Sequence, residues 1–339
     1  MHVILTILAT VLIFLLLIFV HEFGHFIVAK AFKTRVDEFS LGMGPLIWQK
    51  QRGETMYSLR GLPIGGYCML GGEDEETGKE GDFVTKPWWQ KICVLVAGAA
   101  MNFILCILLM SMIALIAGTV GNTLSSVIAD SPAASAGIEA GDKIISIDGV
   151  KTSDWADITT ALAERSKADT ALDVQVLRGG EKLNFSVVPQ FNEEEQRYMI
   201  GIMPKAEHRP LYSLYLGVRG TWNLGGLMLD SLGNLVTGHG SASDLSGPVG
   251  IVQVIEMSVS RGIVYVAYIA ALISLNLGII NLLPFPALDG GRIVFVIIRK
   301  LTGKAITDSI ESKFHFAGMM LLVVLLIFVT YHDIGRLLG

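Results

Sequence analysis

Four long apolar stretches set the first constraint on this 339-residue chain. They cover approximately residues 3–29, 92–117, 263–283 and 316–331. An α-helix needs about 20 residues to cross a hydrocarbon layer of about 30 Å, so these stretches predict membrane-spanning helices. Only 17% of the residues are charged, below the roughly 25% of an average globular domain. The sequence therefore predicts a polytopic α-helical membrane protein with about four transmembrane helices.

The charge pattern indicates that the protein does not bind nucleic acid. The formal net charge is −5, and no basic block occurs anywhere in the chain. A nucleic-acid-binding surface needs clustered Lys and Arg side chains. The first apolar stretch also lacks a preceding Lys or Arg and a small-residue cleavage site, so we expect a retained membrane helix and not a removed signal peptide.

The region between the second and third stretches has the composition of a small soluble domain. Short alternating runs at 143–147, 172–177 and 183–188 predict strands, and residues 154–166 predict one helix. We therefore divide the chain into four parts. These are residues 1–120 with the first two spans, an inserted α+β domain at 121–205, interfacial amphipathic segments at 206–262, and the last two spans at 263–339.

Residues 211–236 form a fifth apolar segment, which is interrupted by charge. Arg219 and Asp230 would be costly at the centre of a bilayer. We therefore expect this segment to lie on the interface or to dip into it. Lys and Arg residues concentrate in the loop after the first span and in the loop after the third. By the positive-inside rule these loops are cytoplasmic, which places both termini and the inserted domain outside.

The sequence His21-Glu22-Phe-Gly-His25 is an H-E-x-x-H motif within the first span. Residues four apart share one face of a helix, so both imidazoles can reach one zinc ion beside Glu22. Two histidines and a glutamate are costly in a membrane unless they have partners and a function. Lys30 lies nine residues beyond His21. The motif is therefore expected about 13 Å below the level where that ammonium meets water, near the cytoplasmic side.

A catalytic zinc site needs a third protein ligand, and Asp289 is the best candidate. It follows Pro284 and Pro286, which are expected to break the third span and let the carboxylate turn inward. The remaining histidines are poorer candidates; His315, for example, opens the fourth span at the inner face. Two histidines and one carboxylate also suit iron or cobalt, so zinc is an expectation from chemistry.

Several segments together resemble the bacterial site-2 proteases, the intramembrane zinc metalloproteases of the RseP and RasP type. The resemblance covers most of the chain. It rests on the H-E-x-x-H motif and on five further segments: residues 39–45, 62–67, 86–89, 246–250 and 276–291. The stretch Ala136-Gly-Ile-Glu-Ala-Gly-Asp142 resembles a PDZ module of that family. Only one such module fits here, whereas some relatives carry two.

The resemblance and the motif chemistry together predict a zinc endopeptidase. His21, His25 and Asp289 are the expected zinc ligands, and Glu22 is the expected general base. Asn102 and Asn281 are the expected substrate-binding amides, and a hydrogen bond to a neighbouring helix stays open as the alternative for Asn102. The segment at 55–70, which contains Gly65, Gly66 and Tyr67, is expected to form a membrane-associated β-hairpin that binds an extended substrate by strand addition.

The expected substrates, as the resemblance implies, are single-span membrane proteins that a first protease has already cut. Anti-sigma factors and signal-peptide remnants are examples. The expected location is the bacterial cytoplasmic membrane, with the active site toward the cytoplasmic side and the lipid bilayer as a partner. The PDZ-like domain could bind a carboxyl terminus or obstruct substrates with a large external part.

Three other functions stay open at this point. A non-catalytic membrane scaffold could use the PDZ-like domain alone. A membrane-anchored metalloprotease could act on soluble substrates. A metal transporter could use the same ligands, although no internal repeat is visible in the sequence.

Overall fold

The computed structural model describes residues 2–73, 77–166, 170–193, 195–239, 247–303 and 308–338. Its helices are α1 (His2–Ala31), α2 (Trp88–Ala117), α3 (Pro132–Ala136), α4 (Trp155–Arg165), α5 (Pro210–Val236), α6 (Pro248–Arg261), α7 (Ile263–Leu282), α8 (Asp289–Thr302) and α9 (Asp308–Leu338). Its strands are β1 (Val36–Arg52), β2 (Thr55–Leu70), β3 (Thr119–Val127), β4 (Lys143–Ile147), β5 (Val150–Lys151), β6 (Leu172–Arg178), β7 (Glu181–Val187), β8 (Gln190–Asn192), β9 (Arg197–Met199) and β10 (Ile202–Glu207).

Four of these helices are long and apolar enough to cross a membrane, within the residues that the structure describes. They coincide with the four predicted spans: Val3–Ala31, Trp88–Ala117, Ile263–Leu282 and Glu311–Arg336. The prediction of a polytopic helical membrane protein is therefore confirmed. Of the segments that carried the family resemblance, only Ser246 lies outside the described residues.

The segment 55–70, predicted as a β-hairpin, is the bent strand β2, and it forms a small sheet with β1, a partner strand that the sequence did not predict. Phe39 of β1 pairs with Cys68 on one side and with Tyr57 on the other, whereas Trp48 pairs with Leu59. The register therefore gives the order 66–70, 36–41, 55–60 and 46–52 across the sheet. The segment 66–70 pairs along one side only, within the described chain, so its other side is a free strand edge.

The third span ends where the prolines were expected to end it. Helix α7 stops at Leu282, and Asp289 is the first residue of α8. In the connecting turn Ala287 has a φ of 75°, the left-handed region that non-glycine residues rarely occupy. This turn places Asp289 at the start of a new helix. The two prolines had predicted such a break in the span, after which the carboxylate can turn inward.

Helix α5 lies alongside α2. A Cβ atom on Gly217 would lie 2.7 Å from the carbonyl oxygen of Ile107, and Thr221 Oγ1 lies 3.4 Å from Cys106 Sγ. Further along, Leu224 and Met228 pack against a buried cluster from α2 and α7. The sequence left two placements open for residues 211–236. These contacts favour the one that dips into the membrane over the one that lies on its surface.

Residues 114–213 form a separate compact unit. Its sheet has the order β10-β3-β4-β6-β7, with β5 beside β4, and α4 covers the core. Helix α4 begins after Asp154, whose carboxylate accepts a hydrogen bond from the Asp157 amide at 2.9 Å. The alternating strands and the single longer helix match the predicted α+β domain. We refer to it as the PDZ-like domain.

One ion pair joins two parts of the PDZ-like domain. Arg178 at the end of β6 donates hydrogen bonds at 2.7 Å to both carboxylate oxygens of Asp142, whose side chain is 1% exposed. Arg178 also donates to the Gly137 carbonyl at 2.8 Å. Burial alone would raise the pKa of Asp142, but these hydrogen bonds, with one from the Glu139 amide, lower it below its ordinary value.

Replacing Arg178 tests this ion pair. We expect Arg178→Met to destabilise the PDZ-like domain by about 2 kcal/mol, because the buried carboxylate loses its charged donor. In the wild type this stabilisation should be present above the unfolded pKa of Asp142 and be lost as the pH falls through its lower folded pKa. Native-state proteolysis of the full chain from pH 7 to 3 measures both effects. Equal protection of Arg178→Met and wild type at pH 7 would contradict the prediction.

Candidate metal centre

Three polar side chains from two separate helices converge inside the helical unit. His21 and His25 lie one turn apart on α1, and Asp289 begins α8. The Nε2 atoms of the two histidines are 3.2 Å apart. Asp289 Oδ2 lies 3.2 Å from the first and 3.3 Å from the second. This is the only cluster of potential metal ligands found in the described part of the chain.

The size of this triangle fits a zinc ion. Zinc–nitrogen and zinc–carboxylate bonds of about 2.0–2.1 Å in a tetrahedron place neighbouring ligand atoms roughly 3.3–3.4 Å apart. The three separations in the structure are close to that value. Asp289 Oδ2 is also buried without a hydrogen-bond partner, which is costly for a carboxylate oxygen unless a cation satisfies it. The residues present therefore fit the metal.

Each histidine has a second contact that bears on its orientation. His25 Nδ1 lies 2.8 Å from the Val94 carbonyl on α2 and donates its proton there, which leaves the Nε2 lone pair free. His21 Nδ1 lies 3.1 Å from the side-chain nitrogen of Asn102, also on α2. The other amide atom, Asn102 Oδ1, is buried without a partner. Both rings are thus held by α2.

Two glycines let the backbones of α1 and α2 approach at the metal centre. A Cβ atom on Gly98 would collide with His25 Nε2 and would lie 2.8 Å from His21 Cε1. A Cβ atom on Gly24, inside the H-E-x-x-H motif, would lie 2.8 Å from the Ala97 carbonyl carbon. Sequence reasoning did not identify Gly98, although its spacing of four residues from Asn102 places both on one face of α2.

A cavity of about 500 Å³ opens beside the three ligands. Glu22 lies on its wall next to the two histidines. Asn281, near the end of α7, and Tyr67, on the free strand edge, also line it. Arg292 of α8 forms an ion pair with Glu73, and both side chains border the same cavity.

Three of the predicted substrate-binding residues do not line this cavity. Gly65 packs against the Met43 side chain. Gly66 begins the segment 66–70, and a Cβ atom added there would be 3.5 Å from Glu22 Cγ. Asn102 is fully buried and contacts His21 instead. Its position favours a role in orienting the histidine over a contact with substrate.

Comparison with known proteins assigns the chain to a family. The model of peptidase family M50 matches residues 9–325. The chain belongs to peptidase family M50. The sequence-based resemblance to site-2 proteases is thereby confirmed, as is the prediction of a metallopeptidase.

Similar proteins extend over nearly the whole chain. The regulator of sigma-W protease RasP of Bacillus subtilis is 32% identical over 418 aligned positions, which cover 98% of this chain and 99% of that protein. The zinc metalloprotease RasP of Shouchella clausii is 30% identical with the same coverage. A Clostridium acetobutylicum protein, inferred by its name to be a zinc metalloprotease, is 35% identical over 96% of both chains.

The packing at Gly98 gives a test of the metal centre. We expect Gly98→Ala to weaken zinc binding on the order of tenfold to a hundredfold, because the new methyl group would displace the imidazole of His25. Alanine is a better helix former than glycine, so helix propensity alone would stabilise α2 and would not weaken zinc binding. Gly226→Ala on α5 is the matched control, since nothing lies within 4 Å of the added Cβ atom. Titration of the metal-free protein with zinc against a chelator measures the change, and equal affinities for the two variants would contradict the prediction.

Proposed function

We propose that this protein is an intramembrane zinc endopeptidase that hydrolyses single-span membrane proteins within or near their spanning segment. The observation that carries the proposal is the convergence of His21, His25 and Asp289 at one end of spanning helices. Family M50 membership and the zinc metalloprotease names of the relatives support the same reaction.

In this proposal His21, His25 and Asp289 hold the zinc through the three converging atoms. When bound, zinc supplies Lewis-acid chemistry: it makes a water molecule acidic near neutral pH and polarises a carbonyl group. The ligand set leaves the cavity side open, which is the arrangement of a catalytic site and not of a structural one.

Glu22 acts as the general base. Its position on the cavity wall beside both histidines supports this role. The carboxylate takes the proton of the attacking water and then delivers it to the leaving amine as the peptide bond breaks. Glu22 needs no direct contact with the metal for this work, so its replacement should separate chemistry from metal binding.

Asn102 orients His21. If the amide group turns by half a rotation, its unpartnered Oδ1 accepts the hydrogen bond of His21 Nδ1–H. Nε2 of His21 then carries the lone pair that a metal ligand needs. The hydrogen bond to the Val94 carbonyl leaves Nε2 of His25 in the same state. This role replaces the substrate contact that the sequence predicted for Asn102.

The substrate is bound as an extended strand. A peptide in a helix hides its backbone groups, so it must unwind before hydrolysis. The free edge at 66–70 supports strand addition, since four residues of this segment line the cavity: Tyr67, Cys68, Met69 and Leu70. Asn281 lies on the same wall and is placed to hold a substrate carbonyl or the oxyanion that forms from it.

The proposed location is the bacterial cytoplasmic membrane, with the metal centre toward the cytoplasmic side. The Lys and Arg distribution of the loops supports this orientation. The PDZ-like domain would then lie outside, where the external remainder of a cut substrate emerges. Its groove of about 280 Å³, between α4 and the segment 197–204 that includes β9 and the start of β10, is large enough for a peptide end.

The decisive experiment reconstitutes the full chain in phospholipid vesicles with a tagged single-span substrate. We expect the wild type to bind zinc and cleave. Glu22→Gln should retain zinc and lose at least about a hundredfold in rate, because the general base is gone. Asp289→Ala should lose both zinc and cleavage.

Two outcomes would contradict the proposal. Zinc-free wild type that cleaves nothing would favour the scaffold. Preferential cleavage of the same peptide sequence in soluble form, compared with its membrane-inserted form, would favour a membrane-anchored protease for soluble substrates. Glu139→Gln in the PDZ-like domain is a matched control, and we expect it to retain both zinc and activity.

Backbone methylation of the substrate tests strand addition. One N-methyl group in the segment that pairs with residues 66–70 should lower kcat/KM by up to about tenfold, because one backbone hydrogen bond is lost. Scanning the group along the substrate should give losses at alternate residues, the periodicity of a strand edge. An even loss at every position, or none, would contradict strand addition.

A further inference from the structure

We propose that α9 positions the third metal ligand, through His315 and Gly318, which hold the turn before Asp289. The inference rests on the proposed function, since it assigns Asp289 to the metal. It gives a role to a histidine that neither the motif nor the cavity includes. His315 is a positioning residue here, because it acts on Asp289 through the backbone of the turn.

The first observation is the backbone of Ala287. This residue lies two positions before Asp289 and adopts the left-handed conformation, with a φ of 75°. An L-residue with a side chain rarely stays there without support from its surroundings. The Ala287 amide donates a hydrogen bond to His315 Nδ1 at 2.9 Å. That bond crosses from the turn to α9 and fixes the peptide whose conformation is least favourable.

The second observation is the close approach one turn further along α9. Gly318 is buried, and a Cβ atom there would lie 2.6 Å from the carbonyl oxygen of Pro286. Gly291 of α8 also approaches Pro286, since a Cβ atom added there would lie 3.2 Å from the Pro286 Cα atom. His315 and Gly318 are three residues apart and share one face of α9. Together they contact Pro286 and Ala287 and hold this part of the turn against α9.

The third observation concerns what holds the His315 ring. Because Nδ1 accepts the Ala287 proton, a neutral ring carries its own proton on Nε2. Nε2 makes no hydrogen bond within the described residues, and Glu311 Oε1 lies 3.6 Å from it. Arg299 of α8 donates to Glu311 Oε2 at 2.5 Å. The ring also lies against Phe295 of α8, at 5.7 Å between centroids. Helix α8 therefore contacts His315 while His315 holds the turn that starts α8.

We therefore expect that removing the hydrogen-bond acceptor at position 315 makes Asp289 less firmly positioned, although residue 315 itself is not a metal ligand. Leucine and asparagine are similar in size, and asparagine Oδ1 lies where histidine Nδ1 does. His315→Leu therefore removes the acceptor, whereas His315→Asn retains one. Gly318→Ala displaces the turn by a different route. The matched controls on the same helix are His332→Leu and Gly335→Ala, and nothing lies within 4 Å of a Cβ atom added at Gly335.

The experiment uses the full chain in vesicles and three measurements. These are the zinc dissociation constant from chelator competition, kcat and KM on a single-span substrate, and amide hydrogen exchange of residues 283–291 in the metal-free protein. We expect His315→Leu and Gly318→Ala to raise the zinc dissociation constant on the order of tenfold to a hundredfold. Both should lower kcat more than they raise KM and should speed exchange in the turn. His315→Asn and both controls should stay within a few-fold of the wild type.

The proposal is overturned if His315→Leu and Gly318→Ala bind zinc as the wild type does while Asp289→Ala does not. It is also overturned if His315→Asn loses as much affinity as His315→Leu, because the acceptor would then not matter. Zinc affinity that is unchanged by Asp289→Ala would instead overturn the metal site itself, and with it the proposed function. If His315→Leu does not fold, Gly318→Ala and its control decide.

Discussion

The structure depends on burying three polar ligand atoms inside a bundle of apolar helices. In hydrocarbon such groups have no water to satisfy them, so each must meet a partner within the protein. His21, His25 and Asp289 meet one another at 3.2–3.3 Å, and the nitrogen atoms that point away from this triangle meet α2. Only a cation at the centre of the triangle satisfies all three groups at once.

Small residues allow this centre to be built from helices. Gly24 and Gly98 bring α1 and α2 together at the level of the histidines, and Gly318 brings α9 against the turn before Asp289. Gly24 and Gly318 let the backbone of one segment contact the backbone of another, whereas Gly98 leaves room for the imidazoles of His21 and His25. In a membrane, where lipid is as apolar as leucine, such close contacts are a main source of helix association. The same glycines that hold the helices together therefore set the distances of the metal site.

The sequence predicted those parts of the molecule that follow from local patterns. The four spans follow from length and hydropathy, the helix α4 was predicted at 154–166, and the H-E-x-x-H spacing places two candidate ligands on one helix face. Asp289 could be inferred because two prolines end α7 just before it. The contacts that Gly98, Asn102 and His315 make could not be inferred, because each residue acts on a neighbour distant in sequence. For the same reason, the sequence did not decide whether α5 packs along α2, since the small residues of α5 contact a helix about a hundred residues away in sequence.

The proposed function links the metal centre to the free strand edge. A helical substrate would arrive with its peptide groups already hydrogen bonded. Unwinding that helix in an apolar setting exposes several backbone groups at once, and each is costly without a partner. The segment 66–70 offers unpaired backbone groups on the wall of the same cavity. In the proposed function, hydrogen bonds to this edge would offset the cost of unwinding at the place where the peptide bond must reach the metal.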